Sequence, residues 1–195
     1  MEQKLGSGTY LGVEGNWLNS EANPLVGFVD VELNPVTMNL DFLPSGIRQE
    51  LNYEEKNLIV TVNQLLGDCW SLGARYQFSK AELEIRYPAS GNHGKNDSTL
   101  DQLTLFALFN HPCGFFARAE GSWYLQSNDG YDSAEPGDDF WQVNLFGGYR
   151  FWHRHAQIRL GVLNLADQDY RLNPLNLYTE LPRQRTFTVN FQFTF

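Results

Sequence analysis

Apolar and polar residues alternate along most of this chain. The clearest case is the last ten residues, TFTVNFQFTF, in which every second residue is a large apolar one. A period of two is typical of a β-strand that has one apolar and one polar face. The same alternation recurs in 115–126 and in 140–151. The sequence therefore predicts an all-β fold of about eight or nine antiparallel strands.

The connections between these strands are of two kinds. QLLGDC, HPCG and WHRH form tight turns, whereas 88–99, 127–139 and 166–185 are long and polar. Short turns at one end and long loops at the other are typical of an outer-membrane barrel. The expected fold is thus a set of antiparallel, up-and-down transmembrane β-barrel strands. Aromatic residues near the strand ends fit the interface girdles of such barrels: Trp17, Trp70, Trp123, Trp141 and Trp152.

The segment 98–109, STLDQLTLFALF, allows two interpretations. Ser98 and Asp101 form a capping-box pattern, and Leu100, Leu103 and Ala107 have helical spacing. Its place between a polar loop and a tight turn favours a strand instead.

Composition narrows the class of protein. The chain has 195 residues, of which 42% are hydrophobic and 19% charged, yet its mean hydropathy is −0.40. The apolar residues are dispersed, and no run approaches the roughly 18 residues of a membrane helix. This pattern favours either a β-rich soluble domain or a membrane barrel. The net charge of −9 argues against nucleic acid as a partner, because phosphate binding needs cations.

No catalytic constellation is visible, so neither an enzyme nor a cofactor is expected. His153 and His155 are two residues apart but have no third ligand nearby, and we interpret them as solvated turn residues. An acidic loop could collect a divalent cation that bridges lipopolysaccharide phosphates, but it lacks calcium-loop spacing, and a plain solvated loop explains it better. Its acidic residues are Asp129, Asp132, Glu135, Asp138 and Asp139.

Cys69 and Cys113 both fall at the ends of predicted tight turns. They could form a disulfide in an oxidising compartment or remain reduced as small turn residues, and the sequence leaves both possibilities open. Several charged residues fall on polar strand faces, where a barrel would place them in its lumen: Arg75, Arg118, Glu120, Arg150 and Arg159.

The last third of the chain resembles the end of a TonB-dependent outer-membrane receptor. The penultimate strand of that family ends in an xNLxxxxY stretch, matched here by Leu163 to Tyr170. Pro182, with Arg183 and Arg185 close by, then precedes a final strand that ends in Phe. The family usually has Pro-Gly-Arg at this approach, and this chain departs from it with Leu-Pro-Arg-Gln-Arg. More loosely, the resemblance extends over about 9–195.

This resemblance implies a function in transport. It implies uptake of a scarce nutrient, such as a metal chelate, cobalamin or a glycan, across the bacterial outer membrane. Phe191, Phe193 and Phe195 would form the signal for the barrel assembly machinery. Tyr131, Tyr170 and Tyr178 are weak candidates for ligand contacts in external loops. The implied partners are outer-membrane lipid and lipopolysaccharide, the assembly machinery, a small-molecule ligand, and the energy-coupling complex of the inner membrane, which acts through a plug domain.

The family implies a 22-stranded barrel preceded by a plug, and neither the plug nor a signal peptide is found in residues 1–8. We therefore divide the chain into that short segment and a barrel portion, 9–195. The favoured interpretation is the C-terminal part of a longer receptor. The alternatives are a small eight-stranded barrel with a structural or adhesive role, and a soluble antiparallel β-domain that binds a small ligand.

Overall fold

The computed structural model describes residues 2–6, 8–33, 40–130, 137–151 and 155–194, apart from the side chains of Glu2, Phe28, Asp41 and Pro44. These residues form eleven strands and no helix, which confirms the all-β prediction. The strands are β1 (Glu2–Leu5), β2 (Thr9–Ala22), β3 (Leu25–Leu33), β4 (Leu40–Arg48), β5 (Glu50–Leu66), β6 (Trp70–Tyr87), β7 (Asn92–Asn110), β8 (Phe115–Asp129), β9 (Asp139–Phe151), β10 (Ala156–Leu163) and β11 (Thr186–Phe193).

Nine of the strands form one antiparallel sheet in the order β1-β2-β5-β6-β7-β8-β9-β10-β11. Apart from the step from β2 to β5, neighbours in the sheet are also consecutive along the chain, so the up-and-down prediction holds. Strands β1 and β11 lie at opposite edges, and within the described residues neither pairs with the other. The sheet is therefore open, and within the described residues it does not close into a barrel.

The prediction of a polar loop over 88–99 is wrong. A four-residue turn occupies 88–91, and β7 begins at Asn92, which pairs with Tyr87. The same strand continues through 98–109, so the helical alternative for that segment is also wrong. The polar residues are strand residues because β6 and β7 extend together beyond the part of the sheet where one face is apolar.

Two strands lie where none was predicted. β1 falls within residues 1–8, and β4 pairs with β3 in a separate two-stranded sheet. That hairpin continues the β2–β5 ladder in the same register: Ala22 pairs with Leu51 and Leu25 with Arg48. The amide of Gln49 donates to the carbonyl of Pro24 at 3.0 Å between the two ladders. The hairpin is thus an extension of two strands of the main sheet.

One face of the nine-stranded sheet is apolar and largely uncovered. Residues that pair across neighbouring strands share a face, and one such row runs Val13, Val60, Tyr76, Leu103, Trp123 and Trp141. Leu105, in the next row, is 45% exposed, Trp17 is 72% exposed, and Phe187 at the far edge is 76% exposed. We call this surface the apolar face.

The opposite face carries the polar residues and most of the buried ones. One row on this polar face runs Thr61, Arg75, Thr104, Ser122 and Gln142. Among its members Ser122 and Gln142 are buried, and Glu55, Ser79, Ser98 and Gln126 elsewhere on the face are buried as well. The interior of the described structure therefore lies against the polar face, which reverses the arrangement of a water-soluble sheet.

The apolar face ends abruptly along each long strand. On β6, every apolar-face residue from Trp70 to Phe78 is apolar, and every one from Lys80 to Arg86 is charged. We call the region level with 70–78 the apolar belt; it measures about 26 Å along the strand, from eight rises of about 3.3 Å each. The turns at 67–69 and 111–114, which we call the tight turns, lie on one side of the belt. The charged strand extensions and the turn at 88–91 lie on the other.

Ion pairs cover the charged extensions. Lys80 lies 2.6 Å from the Glu82 carboxylate, and Lys95 contacts the same residue at 2.9 Å. Hydrogen bonds from Lys80 first and Lys95 second lower the pKa of Glu82 to about 2. This surface is therefore ionic at neutral pH and suits an aqueous environment, unlike the belt beside it.

Three glycines on the polar face accept a phenylalanine ring from the neighbouring strand. The pairs are Gly73 with Phe106, Gly148 with Phe116, and Gly161 with Phe146. A Cβ atom built on Gly148 would lie 2.3 Å from Phe116 Cζ and 2.4 Å from the backbone oxygen of Ile158. Only glycine therefore lets the ring lie flat on the backbone of the next strand.

Replacing Gly148 by alanine is expected to lower the free energy of unfolding by about 1–3 kcal/mol, because the added methyl group overlaps the ring and a carbonyl oxygen. Gly147→Ala is the matched control, since no heavy atom lies within 4 Å of a Cβ built there. Urea titration followed by tryptophan fluorescence measures both variants. Equal stability of the two would show that the close approach of Phe116 is not present.

Candidate functional site

The connection from β10 to β11 covers part of the polar face. Residues 164–185, which we call the strap, fold back over the sheet on the side of the belt opposite the tight turns. The ring of Tyr170 stacks on Phe140 with centroids 5.1 Å apart, and Phe140 stacks in turn on Tyr124 at 5.1 Å. Leu100 and Leu172 complete this small buried cluster. The strap is thus packed against the sheet by aromatic stacking as well as by the hydrogen bonds described next.

Asn176 makes the densest set of polar contacts between strap and sheet. It is 1% exposed, and its amide nitrogen donates to Ser79 Oγ at 3.1 Å. Its amide oxygen accepts from Ser98 Oγ at 2.6 Å and from Gln126 Nε2 at 3.1 Å. One strap side chain thereby satisfies polar groups of three different strands, which would be costly to bury unpaired.

Glu55 provides a second connection. Its carboxylate is fully buried and accepts hydrogen bonds from Ser79 Oγ at 2.7 Å, Tyr53 Oη at 2.9 Å and the strap amide of Leu177 at 3.1 Å. Burial first, and then this carboxylate, raise the pKa of Tyr53. Charge-assisted hydrogen bonds of this kind are among the stronger ones in proteins, so Glu55 holds the middle of the strap in place.

The first residue of the strap fixes where the chain leaves β10. Asn164 has a φ of 51°, a conformation that asparagine tolerates better than most residues. Its amide N–H donates to Asn144 Oδ1 at 2.9 Å, and its side chain donates to the carbonyls of Gln168 and Pro182 at 2.8 and 3.0 Å. Gln142 of β9 donates to the same Pro182 carbonyl at 2.8 Å. The two ends of the strap are therefore tied together over β9.

A cavity of about 600 Å³ lies at the outer edge of the strap, beside the ends of β8 and β9. Its lining combines charged, amide and aromatic groups. The lining residues are Asn128, Gly137, Asp138, Asp169, Tyr170, Arg171, Leu172, Asn173, Pro174 and Arg183.

Two of the tyrosines proposed as ligand contacts lie in the strap. The Tyr170 hydroxyl donates to the carbonyl of Leu181 at 2.7 Å, and the Tyr178 hydroxyl donates to that of Leu172 at 3.2 Å. Both hydroxyls thus serve the internal structure of the strap, and Tyr170 also lines the cavity. Tyr131 lies outside the described residues. A role in ligand contact stays a prediction for all three.

Two residues of the proposed assembly signal, Phe191 and Phe193, are exposed on the apolar face at the sheet edge. Phe191 pairs with Ile158, and its ring lies 6.3 Å from that of Phe151. Phe195 lies outside the described residues. The assembly role itself stays a prediction.

The arginines expected on polar faces are found there. Arg118 forms an ion pair with Glu120, and Arg150 lies over the ring of Phe116 at 4.4 Å while donating to Asn110 Oδ1 at 2.9 Å. Arg159 similarly lies over Phe146 at 5.4 Å. These cations are concentrated towards the tight-turn end, beyond the region that the strap covers.

Cys69 and Cys113 are both free thiols in this structure.

Within the described residues, no group of three or more His, Cys, Asp or Glu side chains is arranged to hold a metal ion. Of the acidic loop, Asp138 accepts from the backbone amides of Asp139 and Arg171, and Asp139 accepts from Trp123 Nε1 at 2.6 Å. His153, Asp132 and Glu135 lie outside the described part of the chain.

Among the described residues there is no helical segment with the length and hydrophobicity of a membrane span.

Comparison with known proteins identified no related protein. The chain matches no protein-family model, no curated protein and no solved structure.

The residues that join strap and sheet were not identified from the sequence. Asn176, Glu55 and Gln126 are separated by about 50 to 120 positions and belong to no recognisable motif. The only available signal was the clustering of asparagines and leucines in LNPLNL, residues 172–177. That pattern indicates a segment with alternating buried contacts but does not reveal its partners.

Asn176→Ala is expected to release the strap, because it removes the buried hydrogen bonds that the Asn176 amide makes with Ser79, Ser98 and Gln126, each worth about 0.5–1.5 kcal/mol. Hydrogen exchange should become at least about tenfold faster for amides in 164–185 and remain unchanged in β5–β8. Thr179→Ala, at an exposed strap position, is the control and should leave exchange unaltered. Unchanged exchange in Asn176→Ala would contradict the role given to this residue.

Proposed function

We propose that this chain forms part of the wall of a bacterial outer-membrane β-barrel, as the C-terminal barrel segment of a TonB-dependent receptor that takes up a scarce nutrient. The nutrient would be a metal chelate, cobalamin or a glycan. The observation that carries the proposal is the reversed polarity of the sheet: its apolar face is bare, while its polar face holds the buried groups. A hydrocarbon environment outside and an aqueous lumen inside account for both faces.

The size of the apolar belt supports this environment. Transmembrane β-strands need about 9–11 residues at a tilt of about 45°, and the belt on β6 runs from Trp70 to Phe78. The aromatic residues Trp17, Trp123 and Trp141 lie near the belt's charged border, where interface girdles occur in outer-membrane barrels. The charged extensions would then stand outside the membrane.

The open edges favour a barrel larger than eight strands. Lipid does not tolerate unpaired backbone groups, and nine strands already lie side by side here without β1 meeting β11. In our proposal further strands of a 22-stranded barrel pair with both edges. Energy coupling to the inner membrane requires a plug domain inside that barrel. A small eight-stranded barrel, the first alternative, accounts less well for the open edges. A soluble β-domain, the second, accounts less well for the bare apolar face.

The exposed edge of β11 supports a role in assembly. Val189 is 74% exposed, and Phe191 and Phe193 are exposed on the same face. Such a strand would aggregate if left in water. We propose that the barrel assembly machinery recognises this edge before it pairs within the completed barrel.

The first experiment places an arginine on either face of β5 at mid-belt. Val62 is on the apolar face, and its neighbour Asn63 lines an open groove on the polar face. In the complete barrel reconstituted in lipid vesicles, Val62→Arg is expected to cost about 2–4 kcal/mol of stability or to block insertion, because the charge enters hydrocarbon. Asn63→Arg is the matched control and should be tolerated. Urea titration and a flotation assay measure both effects.

If Val62→Arg were as stable as Asn63→Arg, the apolar face would not meet lipid and the barrel proposal would fail. A water-soluble sheet gives this outcome, since an exposed valine is easily replaced by a charge.

Receptor function needs a second experiment. Cells that lack the gene should lose uptake of one radiolabelled nutrient under limiting supply, and the wild-type gene should restore it. Uptake should also stop when the membrane potential that drives energy coupling is collapsed. Normal uptake of metal chelates, cobalamin and glycans in the deletion strain would contradict transport, and would favour a structural barrel instead.

A further inference from the structure

Three arginines on the polar face are each held over a phenylalanine ring, and these rings are the ones packed on glycines of the neighbouring strands. The pairs, with the distance from guanidinium carbon to ring centroid, are Arg118–Phe106 (5.5 Å), Arg150–Phe116 (4.4 Å) and Arg159–Phe146 (5.4 Å). A guanidinium held over a fixed ring loses less conformational entropy when it binds a partner than a freely moving one does. The three cations are therefore placed in advance for recognition.

This part of the polar face carries a surplus of positive charge. Among the described strand residues of β7 to β11, the polar face has these three arginines and one carboxylate, Glu120, which is paired with Arg118. Asp68 is the one carboxylate of the tight turns. The strap does not change the balance, because its three arginines are matched by three carboxylates. Arg150 and Arg159 thus have no acidic partner among the described residues.

Arg150 and Arg159 present their charges at a defined spacing. The rings beneath them lie on adjacent strands and two residues apart along the ladder, since Phe116 pairs with Gly148 and the other ring is Phe146. With strands about 4.8 Å apart and a rise of about 3.3 Å per residue, the two guanidiniums stand roughly 8 Å apart. Alternate side chains of an extended segment are separated by about 6.6 Å and share one face. The spacing of the two cations is close to that value.

We propose that this surface docks an extended, acidic protein segment inside the lumen, with Arg150 and Arg159 bound to carboxylates at alternate positions of that segment. The planar fork of a guanidinium matches a carboxylate in two parallel hydrogen bonds. The guanidiniums spread over an open sheet face, which suits a protein segment, whereas small solutes bind in concave sites. The inference rests on the proposed function, and in the proposed receptor the plug supplies the segment.

The distribution of charge over the chain directs such a segment to this end of the polar face. The net charge is −9, so most of the molecule repels an acidic partner and the surface around the two arginines attracts it. The strap covers the other end of the polar face. An acidic segment that enters from the tight-turn side therefore meets the arginines before it reaches the strap.

Binding of a labelled ten-residue peptide of alternating serine and glutamate tests the proposal, measured by fluorescence anisotropy at low salt on the full chain in non-ionic detergent micelles. The peptide should bind saturably, and the same peptide with glutamine in place of glutamate should not. Arg150→Gln and Arg159→Gln should each weaken binding about fivefold, the upper end of what an exposed ion pair contributes. Arg48→Gln removes an exposed arginine of β4, on the other side of the belt, and should bind like the wild type.

Arg159→Gln is the decisive variant. Arg150→Gln also loses the hydrogen bond to Asn110, whereas the Arg159 side chain makes no hydrogen bond among the described residues, so its loss disturbs the sheet least. Absence of saturable peptide binding, or equal affinity of Arg159→Gln and the wild type, would overturn the proposal. Displacement of the peptide by an equal concentration of inorganic phosphate would also overturn it, because it would identify a site for small anions.

These results are distinguishable from failure of the barrel proposal. Equal stability of Val62→Arg and Asn63→Arg removes the lipid-facing role of the apolar face, whatever the peptide does. A barrel that discriminates these two variants while its chain ignores the acidic peptide loses only the docking surface.

Discussion

Apolar side chains must leave water and buried polar groups must be hydrogen-bonded, and in this sheet these two requirements fall on opposite faces. Its buried polar side chains are serines, glutamines, an asparagine and one glutamate, and most of them find hydrogen-bond partners in the strap or in a neighbouring strand. Its large apolar side chains lie bare. In a water-soluble sheet the buried face is apolar and the exposed face is polar. The other features of this structure follow from the opposite arrangement.

The strap follows from the same reversal. A polar face that contacts only water needs no protein segment to cover it. Here residues 164–185 replace that water with a hydrogen-bond network around Asn176 and Glu55. Aromatic stacking on Phe140 adds the apolar contact that the network lacks. In the proposed barrel the strap would narrow the lumen at the external side, and the arginines towards the tight-turn end would remain uncovered. The two parts of the polar face are thus suited to different contacts.

The sequence predicted the strands where alternation is strict, because side-chain period depends on local geometry alone. The prediction was wrong where a strand has polar residues on both of its faces. Asn92 to Thr99 form a strand although they are polar, since pairing with β6 supplies the backbone hydrogen bonds. The strap could not be predicted, because Asn176 meets Ser79 across 97 positions of sequence. Tyr170 was predicted to contact a ligand in an external loop, but its ring stacks on Phe140 and is nearly fully buried.

Spin-label accessibility along β7 tests the lipid-facing claim most directly. With Cys69 and Cys113 replaced by serine, single labels are placed at consecutive positions from Gln102 to Ala107 in lipid vesicles. The account predicts that collisions with oxygen peak at Leu103, Leu105 and Ala107, and that collisions with a water-soluble nickel chelate peak at the alternate positions. Labels at Leu103 and Leu105 that meet the nickel chelate as readily as those at Gln102 and Thr104 would contradict it.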